Sequence, residues 1–368
     1  MSHTTIMAQI KEEIKAQGFQ GFGITPLKPA LSLNRYRQWL EKSYHGDMSY
    51  LKDHLPIKQD PRKLVPGARS AIVISRSYFP LLPGHTEFPF PANQVALYAQ
   101  GRDYHHWFQS QLQSLANTLA ERFKDQVFFP ATDSAPLLER DLAYRAGLGW
   151  VGKNTCLIDR QQGSLFFIGE ILTSLPTEVT PQVSADHCGS CTRCIEACPT
   201  QALHQDREMD ARRCISYWTI ESRELPPEDL RSQFKGWLFG CDICQTVCPW
   251  NQKVFGSKDF SSKDFSSKDF GSKDFGLQLK ERVSSTGPNP HLISELRFIL
   301  GSSNRQLKKI LAPTPLSRTG GRGLKRNAMI VVANHHLTEL IPEVKSYLDH
   351  PKLGELARWC LLSLGVHT

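Results

Sequence analysis

Seven of the ten cysteines in this 368-residue chain crowd into two short blocks, each closed by Cys-Pro. The first, Cys188-Gly-Ser-Cys191-Thr-Arg-Cys194-Ile-Glu-Ala-Cys198-Pro199, has the spacing C-x2-C-x2-C-x3-C-P. The second, Cys241-Asp-Ile-Cys244-Gln-Thr-Val-Cys248-Pro249, repeats the last three cysteines of that run. Thiolates so spaced suit [4Fe–4S] cubes: three hold one cube, and the Cys before the Pro crosses to the other. Leu238 occupies the place of the second block's first ligand and cannot bind iron; Cys214, alone between the blocks, replaces it. This assigns Cys188, Cys191, Cys194 and Cys248 to one cluster, and Cys198, Cys214, Cys241 and Cys244 to the other. A tight C-x2-C-x2-C triplet crowds a tetrahedral zinc ion, and thiols this close serve metals better than disulfides. Cys156 and Cys360 lie outside the pattern and read as buried packing.

Other chemistry is harder to place. Gly147-x-Gly149-x-x-Gly152 follows an expected helix rather than a strand, so it reads as a loop and not a dinucleotide site. No phosphate-binding GxxxxGK[ST] is present. Asp103-Tyr-His105 supplies half of an Asp-x-His-x-x-Gly corrinoid-ligating signature, but position 108 is Phe. Asp133, ahead of Pro136, reads as a helix N-cap or first-turn carboxylate with a lowered pKa. A general acid needs the opposite shift.

The elements that must hold these residues follow from periodicity. Residues 4–17 have the apolar spacing of an amphipathic helix ended by Gly18. Phe19–Ile24, Ser70–Tyr78, Val127–Phe129 and Ser164–Leu172 read as strands, and Trp107–Phe123 and a segment from Pro136 as helices. The first 180 residues thus form an α/β or α+β unit. After Asn289 the pattern is helical, with helices expected at His291–Leu300, Ser303–Leu311, Leu324–Ala333, Glu339–Leu348 and Leu353–Leu364. Gly256–Phe275 is four copies of (G/S)-S-K-D-F, whose period of five matches neither helix nor strand and reads as a surface insertion grown by repeat expansion. The net charge is +8. Seven basic residues and no acid lie between Gly301 and Arg326, a candidate footprint for a polyanion or a solvated helix face. The absence of a signal-like start and of a long apolar run predicts a cytoplasmic protein with no membrane partner.

Several linked strings resemble the epoxyqueuosine reductases. They are Leu64-Val-Pro-Gly-Ala-Arg-Ser70, Gly101-Arg-Asp-Tyr-His105, Arg145-Ala-Gly-Leu-Gly-Trp-Val-Gly-Lys-Asn-Thr155, Gly163-Ser-Leu-Phe-Phe-Ile-Gly-Glu170, Asp210-Ala-Arg-Arg-Cys214-Ile-Ser216-Tyr-Trp-Thr-Ile-Glu221 and Gly240-Cys-Asp-Ile-Cys-Gln245-Thr-Val-Cys-Pro-Trp-Asn251. The likeness resumes at Gly323-Leu-Lys-Arg-Asn-Ala328. It implies an α+β multidomain chain: an α/β cobalamin-binding catalytic domain at 1–180, a ferredoxin-like two-cluster domain at 181–252, a repeat-bearing linker at 253–280 and a HEAT-like helical tRNA-binding domain at 281–368. It also implies cobalamin and two [4Fe–4S] clusters as cofactors, tRNA bearing epoxyqueuosine at its wobble position as substrate, an external electron donor and a monomer. By the same resemblance Asp133 is the proton donor, which displaces the cap reading, and Lys58, Ala96, Asp133, Thr155, Phe166 and Ser216 line the corrin. The competing readings are a bare electron-transfer module, a nucleic-acid-binding protein with structural clusters, and a corrinoid dehalogenase of small molecules.

Overall fold

The computed structural model describes residues 3–79, 88–176, 183–255 and 290–367; the (G/S)SKDF copies and most of the 253–280 linker fall outside the described residues. In chain order the N-terminal part contains α1 (His3–Ala16), β1 (Gly21–Pro26), α2 (Leu33–Glu41), α3 (Tyr50–Asp53), α4 (Leu55–Gln59), β2 (Ser70–Ser77) and β3 (Gln94–Val95). It continues with α5 (Tyr104–Arg122), β4 (Phe128–Thr132), α6 (Glu139–Arg145), β5 (Trp150–Val151), β6 (Leu157–Ile158) and β7 (Phe166–Thr173). The main sheet runs β1-β2-β7-β4, and every pair in it is antiparallel. The first domain is therefore α+β, and the α/β expectation for it is corrected. Alternating helices and strands suggested parallel crossovers, but the chain joins its strands in antiparallel pairs.

The middle of strand β2, Ala71 to Ile74, is apolar on both faces because both faces of the sheet are covered. Ile72 and Ile74 face α1 and α5 through Ile10, Ile14, Phe108 and Leu112. Ala71 and Val73 face the opposite layer, with Ala131, Leu142 and Leu172. This two-residue alternation fixes which β7 side chains meet which layer, a point that matters for Glu170 below.

The cysteine region contains α7 (Arg193–Glu196), α8 (Ile215–Ile220), α9 (Glu228–Arg231), β8 (Trp237–Phe239), α10 (Ile243–Thr246) and α11 (Pro249–Phe255). Helices α7 and α10, each inside a cysteine block, pack against one another, and β8 pairs in parallel with β3. The C-terminal helices are α12 (Pro290–Gly301), α13 (Asn304–Leu311), α14 (Gly320–Asn334), α15 (Ile341–Lys345) and α16 (Gly354–Ser363). Ser303 and Gln306 form a capping box at the start of α13, satisfying two otherwise orphaned amides. Pro342 sits in the first turn of α15, so the helix expected over Glu339–Leu348 is a 3-10 turn followed by a short α-helix.

Helix α14 joins the two regions. One apolar core runs from Ile215, Trp218 and Phe239 through Ile330 to Leu296 and Leu361. At the seam, Arg326 is 2% exposed and donates from Nη1 to the carbonyls of Ser222 (2.6 Å) and Glu224 (2.9 Å), and from Nη2 to that of Trp218. Asn327 donates to the carbonyls of Thr219 (2.8 Å) and Leu238 (2.9 Å). Burial without a carboxylate lowers the Arg326 pKa to about 10, with Arg223 and Arg322 pushing the same way. Arg326→Met removes the donor to three buried or half-buried carbonyls, and is expected to cost roughly 3 kcal/mol, read as a lower urea midpoint at unchanged slope.

The same seam corrects the basic footprint. Lys325 and Arg326 are buried, and Arg318 is engaged by Glu221 at 2.9 Å. Arg305, Lys308, Lys309 and Arg322 remain to meet a polyanion.

Candidate active site

Asp133 directly follows β4 and adopts a left-handed φ of 38°, unusual for a side-chain-bearing residue. Helix α6 begins only at Glu139 with Leu138 as its N-cap. Asp133 therefore caps nothing, and the reading of it as a cap is corrected. The strained turn aims its carboxylate across at the start of α5. Tyr104 Oη donates to Asp133 Oδ2 at 2.7 Å, and His105 Nε2 lies 2.7 Å from the same oxygen. His105 Nδ1 is 2.7 Å from Asp103 Oδ1, and Asp103 itself caps α5 by accepting from the His105 amide. The Tyr104 ring is sandwiched between His105 and Phe167, each at a centroid distance of 4.2 Å, which fixes its hydroxyl.

Both nitrogens of His105 face carboxylates, so both carry hydrogen and the ring is an imidazolium. The hydrogen bond to Asp103 and then that to Asp133 raise its pKa to about 9 against the opposing pull of burial. At Asp133 desolvation raises the pKa, but the bonds from His105 and Tyr104, with the charges of His105 and Arg318, together hold it below the ordinary carboxylate value. Its side chain is nevertheless 51% exposed. It is a charged, half-exposed group with a transferable proton one hydrogen bond behind it. Sequence reasoning missed Tyr104 and His105 as its partners; the available signal was the capped Asp-Tyr-His string itself.

The other residues expected around the corrin fall in two groups. Lys58, in α4, is buried and donates from Nζ to the carbonyl of Leu137 at 2.9 Å, holding the loop that carries Asp133. Burial lowers its pKa, with Glu139 opposing. Thr155 has φ 64° and its carbonyl accepts from Arg140 of α6. Phe166 opens β7 opposite Ser77. On the cluster side, the Ala96 amide donates to the Phe239 carbonyl at 2.9 Å, and its methyl lies where a Cβ on Gly240 would come within 2.5 Å. Ser216 sits in α8, whose Thr219 hydroxyl accepts from the Gly240 amide at 2.9 Å. Half-buried Tyr98 links the groups: desolvation raises its pKa, and Asp133, Asp242 beside Cys241, and Glu221 raise it further.

The cysteines divide into two neighbourhoods. Burial pushes the Cys194 thiol up to about 11, with Cys248 and Cys188 adding to it; Cys248 is likewise raised by burial and by Cys188 and Cys191. Cys241 is raised by burial, Cys214 and Cys198, and Cys244 by burial, Cys156, Cys241 and Cys214. Among the described residues no three His, Cys, Asp or Glu close around a single metal ion. Cys360 is buried as expected. Cys156 is not simple packing: it is half-buried and sits in the field of Cys248 and Cys194. Its loop is tied to the clusters' backbone, with Lys153 Nζ donating to the carbonyls of Gly189 (2.8 Å) and Cys191 (3.0 Å). Asn251 fastens the second block to the sheet, accepting from the Ser164 amide at 2.6 Å. Gly163, at φ 67°, must be glycine here because a Cβ would collide with the Asn251 amide oxygen.

An antiparallel α+β domain joined to two cysteine blocks of [4Fe–4S] spacing is the frame of an iron–sulfur oxidoreductase. Residues 187–251 match the family "4Fe-4S double cluster binding domain", and residues 58–134 match "Epoxyqueuosine reductase QueG, DUF1730". The chain is 32% identical over 372 residues to the epoxyqueuosine reductase of Escherichia coli, covering 98% of this chain and 91% of the relative. Its fold is similar to that of epoxyqueuosine reductase from Streptococcus thermophilus, with a TM-score of 0.78 at 26% identity over 98% of this chain and 90% of the other. It is also similar to an epoxyqueuosine reductase crystallised with a tRNA-Tyr epoxyqueuosine-modified stem loop, at a TM-score of 0.74, 25% identity and the same coverage. The chain belongs to the epoxyqueuosine reductase family.

Proposed function

We propose that this protein reduces epoxyqueuosine at the wobble position of tRNA to queuosine, the closing step of queuosine formation. The observation that carries this reading is the Asp103–His105–Asp133 array, which stores a proton behind a half-exposed carboxylate in a chain that also bears the two cysteine blocks. The test is mass analysis of nucleosides from epoxyqueuosine-bearing tRNA after incubation with the iron-loaded protein, cobalamin and a strong one-electron reductant. Accumulation of queuosine is expected; unchanged epoxyqueuosine would overturn the reading.

Cobalamin fits the residues expected around it by their chemistry. Neither the Thr155 nor the Ser216 hydroxyl is used in a hydrogen bond among the described residues, which suits the amide fringe of a corrin. Ala96 is small and packs its methyl against Gly240. His105 has both ring nitrogens engaged by carboxylates and would serve the group as a proton source. Lys58, Ala96, Asp133, Thr155, Phe166 and Ser216 would hold the group. When bound, cobalamin would supply the reducing metal centre, and clusters on Cys188, Cys191, Cys194 and Cys248, and on Cys198, Cys214, Cys241 and Cys244, would feed it single electrons from an external donor.

The protein's own part is proton management and positioning. His105 gives its Nε2 proton to Asp133, and Asp133 delivers it to the epoxide oxygen as that oxygen leaves its carbon. Tyr104 holds the Asp133 carboxylate in line, and the Asp103 carboxylate keeps the imidazole charged and oriented.

The nucleic acid is held from the helical side. A cavity of about 640 Å³ at the N-terminus of α14 is lined by the cations Arg223, Lys308, Arg322 and Lys352, with the buried Arg326 in its floor and no carboxylate among its lining residues. Uncompensated cations at the start of a fifteen-residue helix suit a phosphodiester. Next in sequence to Thr319 in its wall, Arg318 stands over the Tyr50 ring at 5.9 Å, and its charge reaches Asp133. A backbone gripped here leaves a flipped base free to reach Asp133. Lys308→Glu and Arg322→Glu should each weaken tRNA binding and reduce its salt dependence by about one counterion, read from affinity against salt concentration. We divide the chain accordingly into an α+β cofactor domain (1–180), a ferredoxin-like domain (181–252), a repeat-bearing linker (253–280) and a HEAT-like domain (281–368), acting as a cytoplasmic monomer. Among the described residues no helix is long and apolar enough to cross a membrane.

A further inference from the structure

Beneath the Asp133 loop lie two acids that this mechanism does not use. Glu170, in the middle of β7, opposes Val73 on one side and Ala131 on the other. It therefore points into the apolar layer under α6 that also contains Leu142 and Leu172. It is 0% exposed, and neither of its carboxyl oxygens has a hydrogen-bond partner among the described residues. Glu139, the first residue of α6, faces it from above; Glu139 Oε1 is also buried without a partner. The backbone amide of Asp133 is turned toward the Glu139 carboxyl.

Counting charges decides the state of this cluster. The titratable groups facing Glu170 are Glu139, Asp133 and Lys58; Glu139 faces Asp133, Lys58 and Arg140. An unpaired carboxylate in an apolar layer costs several kcal/mol and takes up a proton instead. Two such groups side by side cannot both ionise. Desolvation, then Asp133, pushes Glu139 up to about 8, against the pull of Lys58 and Arg140. Desolvation and then Glu139 push Glu170 well above its ordinary value.

The reaction has a use for that proton. Removing an epoxide oxygen as water breaks two C–O bonds, forms one C=C π bond and consumes two electrons and two protons. The electrons come singly from the external reductant through the clusters. The His105–Asp133 pair holds one proton, and after its delivery Asp133 is a bare carboxylate. We infer that Glu139 and Glu170 store the second proton and pass it, through Glu139, to Asp133, which hands it to the departing oxygen as water forms. The pair acts through Asp133, is left as an anion and refills from solvent between turnovers. This inference rests on the proposed epoxyqueuosine reduction.

The test has two arms on the full-length, cluster-loaded protein. Infrared spectra of the wild type at pH 7 should show the carbonyl stretch of a buried protonated carboxylic acid, shifted in D₂O and absent from E139Q/E170Q. In the wild type alone this band should lose the Glu139 component as pH rises through about 8 and keep that of Glu170, a readout that survives if the double variant fails to fold. In single-turnover reaction with epoxyqueuosine-bearing tRNA, the double variant should be slowed about tenfold or more at pH 8 and recover toward wild type at pH 6, where solvent reprotonates Asp133 directly. A purely structural role would depress the rate equally at both pH values, and that result overturns the inference. So does a wild type with no protonated-acid band. A wild type that shows the band but leaves epoxyqueuosine intact overturns the functional reading instead.

Discussion

Asp133→Asn should lower turnover on epoxyqueuosine-bearing tRNA by roughly 10²–10⁴-fold, the range of a positioned general acid, with iron content and visible spectrum unchanged. The amide cannot carry the proton from His105 to the substrate oxygen. It also withdraws the anion to which Tyr104 and His105 both turn at 2.7 Å. His105 then keeps only Asp103 as an anionic partner, so its pKa falls from about 9. The sign of the pH dependence follows from that raised value. The imidazolium is fully formed below the ordinary histidine range near ~6.5, and is lost as pH rises through about 9. Wild-type activity that draws on this proton therefore declines across the upper part of that window, and the His105 ring titrates there by NMR. In the variant the ring titration moves to lower pH. Full activity in Asp133→Asn would remove this residue, and the array behind it, from the reaction.

Sequence patterns disclosed some of this site and concealed the rest for physical reasons. Ligand spacing made the cysteine blocks readable, because three thiolates on one cube need short, regular intervals. The expected crossing of Cys198 and Cys248 follows from that same spacing, and the recruitment of Cys214 from Leu238 being unable to bind iron; both are settled by the iron analysis argued below. Helix α1 and strands β1, β2 and β7 were legible from their apolar periods. The parallel or antiparallel sense of the sheet was not, since β2 carries apolar residues on both faces under either arrangement. Asp133 was misread as a cap because Asp-Ser before Pro is a common helix start. Its left-handed backbone is visible only when the Thr132–Gly169 pairing of β4 with β7 is known. Charge misled in a different way. Arg326 looked like one more member of a basic face, whereas α14 turns it inward onto three carbonyls of the cluster region. Glu170 was quoted within a family string but carried no signal of burial, because Gly169-Glu170 interrupts an apolar run as an exposed turn would.

Cys214→Ala should halve the iron bound, from about eight to about four per chain, and abolish turnover while the fold persists. Cys214 is the N-cap of α8, but its side chain accepts no capping bond, and the Trp218 indole holds this turn by donating to the Arg212 carbonyl at 2.7 Å. Alanine therefore removes a ligand without removing a structural contact of comparable weight. The thiols of Cys198, Cys241 and Cys244 cannot complete a four-thiolate set alone. Leu238 offers no substitute position, because it is 0% exposed in the core shared with α14; a cysteine there would face packed hydrocarbon instead of a cluster. Cys156 is the neighbouring thiol to control for, since it lies in the field of Cys244. Cys156→Ala alone should leave iron unchanged, whereas the Cys156→Ala/Cys214→Ala pair should match Cys214→Ala. Iron and zinc analysis of anaerobically prepared protein separates the outcomes. Undiminished iron in Cys214→Ala would break the crossed assignment, and stoichiometric zinc in the wild type would break the electron path on which the reduction depends.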